Sequence, residues 1–68
     1  MTQQDKEWLD QNQMVFKNVR LTPEQNQMLF AIYNRLTGDN MKPTSCGRCV
    51  ANAKKQVKYH YDQIRSND

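Results

Sequence analysis

Between Thr22 and Gly38 the chain carries a helix with both ends marked by residue chemistry, and this segment limits the fold more than any other. Thr22 is a good N-cap. Pro23 fits the first helical position, where its missing N–H costs nothing, and Gln25 completes a Thr-x-x-Gln capping box. Met28, Leu29, Ile32, Tyr33 and Leu36 then recur at three- and four-residue spacing, which places them on one apolar face. Gly38 is a natural left-handed stop. Asp39 to Pro43 read as a connection, because Pro43 disfavours helix at Lys42.

A helix with one apolar face must bury it, and the neighbouring segments supply helical partners. The stretch from Thr44 or Ser45, either of which can cap, to about Arg65 carries Cys46, Val50, Ala53, Val57, His60 and Ile64 in alternating steps of four and three, a sustained seam. Cys49 and Tyr61 flank it. An earlier helix is predicted from about Gln3, with Thr2 and Asp5 serving its first amides. Trp8 and Leu9, with Val15 or Phe16 beyond, are its apolar side. Met14 to Leu21 suits either helix or an extended connection carrying Val15, Val19 and Leu21. The predicted fold is all-α, a single domain over residues 1–68 with helices near 3–14, 23–37 and 45–65. The second and third pack as a hairpin, and Trp8 and Phe16 cover the open side.

With 68 residues the chain buries a small core. A net stability of about 3–5 kcal/mol is expected for such a domain unless a staple, metal or partner contributes. There is no room for a cleft that encloses a substrate, so the expected function is non-enzymatic. No Gly-rich phosphate loop, paired carboxylates or nucleophile–histidine spacing appears. No apolar run approaches the roughly 18–20 residues that span a bilayer, so no membrane partner is expected. The N-terminus, Met1-Thr2-Gln3-Gln4-Asp5, lacks the pattern of a secretion signal, which points to the cytoplasm and to reduced thiols.

Charge is distributed unevenly. Of the net +3, residues 1–43 contribute nothing, and the whole surplus falls on the segment carrying Arg48, Lys54, Lys55, Lys58 and Arg65. A basic element set apart in this way is the electrostatic footprint of a nucleic acid or of an acidic protein. Lys54, Lys58 and Arg65 fall on one shoulder of the seam, with Lys55 and Arg48 further round. If the third helix reads a duplex, Thr44, Ser45, Arg48 and Asn52 are the groove-facing candidates. Arg48 would pair with guanine and Asn52 with adenine, while Lys42, Lys54, Lys55 and Lys58 would meet phosphates. The connection after Gly38 is longer than the turn of a helix-turn-helix. The rival is a protein-binding module, with exposed Tyr59 as an anchor beside Lys55. Tyr33 and Tyr61 are expected at the edges of the core.

Cys46-Gly47-Arg48-Cys49 permits several chemistries. Two thiols are half of a zinc site. The lone His60 lies eleven residues past Cys49, a rise of about 16 Å along a helix, which a shell of roughly 2 Å radius does not bridge. Zinc would therefore need Cys46 and Cys49 from each of two chains, giving a metal-bridged dimer; otherwise no cofactor is expected. A thiol at a helix start beside Arg48 also suits redox chemistry, including a reversible disulfide. The favoured expectation places both cysteines in or beside the seam as small hydrophobes.

The pattern Ile32-Tyr33-Asn34-Arg35-Leu36-Thr37-Gly38, followed by Lys42-Pro43-Thr44-Ser45-Cys46-Gly47-Arg48-Cys49, resembles small accessory proteins of tailed bacteriophages over the middle third of the chain. The resemblance implies a viral protein in the host cytoplasm or the virion. It implies DNA binding, capture of a host protein or a place in the particle as its role.

Overall fold

The computed structural model describes residues 1–18 and 20–66, and among these it contains helices and no strand: α1 (Gln3–Gln11), a 3₁₀ turn (Gln13–Phe16), α2 (Pro23–Thr37) and α3 (Gly47–Ser66). The fold is all-α. Val19 lies outside the described residues.

α2 forms where its end signals stand. Thr22 Oγ1 accepts from the Gln25 amide at 3.1 Å, and Gln25 Oε1 accepts from the Thr22 amide at 3.0 Å. Gly38 closes the helix at φ 74°, its N–H donating to the Asn34 carbonyl at 2.8 Å. An L side chain there would be strained, which is why glycine suits the position. The buried face is wider than the spacing predicts. Leu29, Ile32 and Tyr33 are buried as expected, but Phe30 is fully enclosed as well, while Met28 and Leu36 are half-buried. Phe30 meets Tyr33 edge-on, with ring centroids 6.4 Å apart.

α1 is shorter than its predicted span. Asn12 ends it by donating its side-chain amide to the Trp8 carbonyl at 2.8 Å, an acceptor that a continuing helix would give to the backbone. The chain then tightens into the 3₁₀ turn, which buries Val15. Trp8 and Phe16 are half-buried against the core, as expected. Thr2 caps α1 by accepting from the Asp5 amide at 3.1 Å. The Asp5 carboxylate has a different task from the capping one predicted for it. It is buried and takes a two-pronged contact from Arg35 of α2, Nε to Oδ2 at 2.9 Å and Nη2 to Oδ1. That bond holds the guanidinium pKa above its ordinary value.

The pair is asymmetric, since the Asp5 side chain is 3% exposed and that of Arg35 46%. Removing Arg35 leaves a desolvated carboxylate; neutralising Asp5 releases a cation that reaches water. Arg35→Ala should therefore cost about 1–3 kcal/mol and Asp5→Asn less than about 1 kcal/mol, compared by urea unfolding followed by circular dichroism.

α3 starts two residues later than predicted and is turned slightly from the predicted seam. Ala53, Val57 and Tyr61 are its buried residues, with Cys49, Val50, His60 and Ile64 half-buried and Cys46 exposed. Tyr61 belongs to the core because its ring stacks on Phe16 at 6.0 Å, and its hydroxyl donates to Asp10 and accepts from Gln13 Nε2 at 3.4 Å. Burial and then the Asp10 carboxylate raise its pKa.

The connection between α2 and α3, residues 38–46, is held by two carboxamides of α2. Asn34 donates to the Met41 carbonyl at 2.8 Å and accepts from the Met41 amide at 3.0 Å, satisfying both backbone groups of that residue while Met41 packs on the core. Asn26 donates to the Thr44 carbonyl at 3.2 Å, just ahead of α3.

Candidate functional site

A twenty-residue helix is about 30 Å long, and α3 thus runs nearly the full 33 Å of the molecule's longest dimension. Its inner face is set by Val50, Ala53, Val57 and Tyr61, which fixes what points outward. At about 100° per residue, Arg48, Asn52, Lys55 and Tyr59 fall within about 60° of one another, opposite that inner face. All four are exposed, Tyr59 to 61%. They form one stripe about 16 Å long by helical rise.

The remaining cations serve different places. Lys58 and Arg65 are exposed on the shoulder, where the Arg65 guanidinium lies 5.4 Å from the centre of the Tyr61 ring. Lys54 is half-buried and donates to the Asn18 carbonyl, so it ties the segment after the 3₁₀ turn to α3. Lys42 and Ser45 are exposed on the connection, and Thr44 is half-buried, its carbonyl taken by Asn26. The predicted binding residues, groove-facing and phosphate-facing together, are therefore divided. Arg48 and Asn52 share the stripe with Lys55 and Tyr59, whereas Thr44 and Lys54 are engaged in holding the fold. Tyr59 also meets His60 edge-on at 5.6 Å, which makes the half-buried histidine a packing partner of the stripe.

The first turn of α3 carries the second candidate feature. The predicted caps Thr44 and Ser45 do not cap it. Cys46 stands at the N-cap, its carbonyl taking the Val50 amide at 3.0 Å and its Sγ accepting from the Cys49 amide at 3.3 Å. The sulfur fills the role that an oxygen of Ser, Thr or Asp usually has there. Thr44 Oγ1 accepts from the Cys46 amide at 3.2 Å. Both cysteines are free, and the Cys49 thiol donates to Cys46 Sγ at 2.7 Å. The expectation of two seam hydrophobes fails for Cys46, because the helix begins too late to carry its side chain inward; Cys49 keeps a core contact. The thiol bond from Cys49, then the Cys49 and Arg48 amides, lower the Cys46 pKa; the same thiol pairing raises that of Cys49.

Beside this turn lies a depression of about 550 Å³ between Arg20, Asn26, Ser45, Gly47 and Lys54. Asn26 Oδ1 has no hydrogen-bond partner there. Among the described residues no three His, Cys, Asp or Glu side chains come close enough to hold one metal ion, and no helix is long and apolar enough to cross a membrane.

Sequence reasoning misses the tertiary roles of Asp5, Asn26, Asn34 and the Tyr61 hydroxyl. Their partners lie seven to fifty-one residues away, beyond any local spacing rule. No protein-family model, curated protein or solved structure matches this chain.

Proposed function

We propose that the chain binds duplex nucleic acid through the outer stripe of α3 and has no enzymatic activity. The supporting observation is the alignment of Arg48, Asn52, Lys55 and Tyr59 on the exposed face of α3, whose opposite face packs into the core. The arrangement puts a guanidinium and a carboxamide, the two groups that pair bidentately with guanine and adenine edges, one helical turn apart near the start of the helix. Lys55, Lys58 and Arg65 supply phosphate contacts along its length. With Lys54 occupied by the Asn18 carbonyl, the phosphate set is smaller than the cation count of the segment. The resemblance of residues 32–38 and 42–49 to tailed-phage accessory proteins suits this role, capture of a host protein or a place in the virion equally.

Tyr59 favours a second reading. An exposed aromatic ring beside cations is a suitable anchor on an acidic protein of the host or the virion. Salt dependence separates the two. Fluorescence anisotropy with a short labelled duplex should show binding that weakens steeply between about 50 and 200 mM salt, the logarithmic slope growing by about 0.9 per neutralised phosphate. No binding at the lowest salt would reject the nucleic-acid reading. A complex with an acidic protein that is abolished by Tyr59→Ala would then establish the other.

A further inference from the structure

We infer that Cys46 and Cys49 form a redox-switchable dithiol, oxidised stoichiometrically and without turnover by small disulfides of the glutathione class, with Cys46 as the attacking thiol and Cys49 as the resolving one. The site is distinct from the stripe, although Arg48 lies between the two cysteines. Geometry carries the assignment. The two sulfurs are 2.7 Å apart and both thiols are free. Closing them to a bond of about 2.05 Å asks only for a short further approach of the two sulfurs.

The two thiols are not equivalent. Cys46 is exposed at the N-cap and open to an incoming disulfide; Cys49, one turn into the helix, is half-buried and packs on the core. Cys46 Sγ also sits against the Cys49 amide at the positive end of a twenty-residue helix, where a thiolate is stabilised. Its lowered pKa and the raised pKa of Cys49 agree with that division. This is the arrangement exchange requires: a reachable thiolate first, and a protonated neighbour held in reserve.

The exchange balances in two steps. Cys46 thiolate attacks one sulfur of the external disulfide. A mixed disulfide forms on Cys46, the external S–S bond breaks, and the departing thiolate takes a proton from solvent. Cys49 then gives up its proton to solvent, and its sulfur attacks Cys46 Sγ. The intramolecular disulfide forms, the mixed disulfide bond breaks, and the second small thiolate leaves and takes a proton from solvent. Starting from the Cys46 thiolate, the protein gives up two electrons and one proton, solvent supplies the other proton, and the external disulfide is reduced to two thiols.

The test uses the full chain in glutathione buffers of graded ratio, quenched by acid, alkylated and weighed intact. The wild type should lose both alkylation sites together and carry no stable adduct. Cys49→Ser should accumulate the glutathione adduct, and Cys46→Ser should react at least about tenfold more slowly than Cys49→Ser, the difference expected between a helix-start thiolate and an ordinary thiol. Circular dichroism confirms that each variant is folded, and the wild-type measurement stands without them. The inference is overturned if the wild type stays reduced or keeps a mixed disulfide under an excess of oxidised glutathione. It is also overturned if the two single variants react at equal rates. Native mass spectra showing one zinc ion per two chains, with the thiols then inert to the oxidant, would replace it with a metal-bridged dimer.

Discussion

Phe30→Ala should leave the chain unfolded at room temperature. Phe30 is fully enclosed and leans edge-on against Tyr33 at 6.4 Å, within the cluster that holds Leu9, Val15, Leu29, Ile32, Ala53, Val57 and Tyr61. Truncating a buried phenylalanine costs about 3–5 kcal/mol, from forfeited transfer energy and from the cavity left behind. A helical domain of this length has about that much stability in total. The cost is therefore as large as the whole margin. Phe30→Leu, which keeps most of the volume, should remain folded with a lowered urea midpoint. Circular dichroism against urea separates the two variants. A cooperative transition for Phe30→Ala with a midpoint near the wild type would show that the aromatic ring is not central to the core.

The second large effect concerns binding. Reversing Arg48, Lys55 and Lys58 to glutamate together should reduce duplex affinity by at least about a hundredfold, since one bidentate arginine contact alone contributes about 1–3 kcal/mol. All three side chains are exposed, so thermal unfolding should stay close to that of the wild type. The salt slope should fall by about 0.9 for each phosphate that is no longer neutralised. The informative control makes the same charge change at Lys6, Lys17 and Arg20, all outside α3. Equal losses in the two triple variants would mean that overall charge drives binding and that the stripe has no special role. A loss confined to the α3 variant assigns the binding surface to that face.

How far the sequence discloses the structure depends on the range of the interaction. α2 is legible at both ends because its signals are local: the Thr22–Gln25 capping box and the Gly38 stop need only neighbours in the chain. The tyrosines are legible too, with Tyr33 and Tyr61 buried and Tyr59 out in water. Phe30 is not, since a three-and-four pattern describes a helix packed on one side, whereas α2 is covered both by α3 and by the N-terminal segment. The choice between His60 and Tyr61 for the core follows from a small roll of α3, set by the Phe16 ring from another element. The seam spacing reaches one step too far at Cys46, whose sulfur caps the helix that the pattern would have it join. For the candidate site, the cations and Asn52 are visible in the sequence as a group. Their division into an outward stripe and a structural tie at Lys54 is not, because that tie depends on a carbonyl thirty-six residues earlier.

The carboxamides of Asn26 and Asn34 have a consequence for any ligand that meets α3. A nine-residue connection left to itself would be a floppy hinge, and docking would have to freeze it at a cost of about 1–2 kcal/mol for each residue ordered. Here its backbone is already moored to α2 at Met41 and Thr44. The approach to Arg48 is thus preorganised, and binding energy gathered at that end of the helix passes into affinity with little drained away by chain entropy.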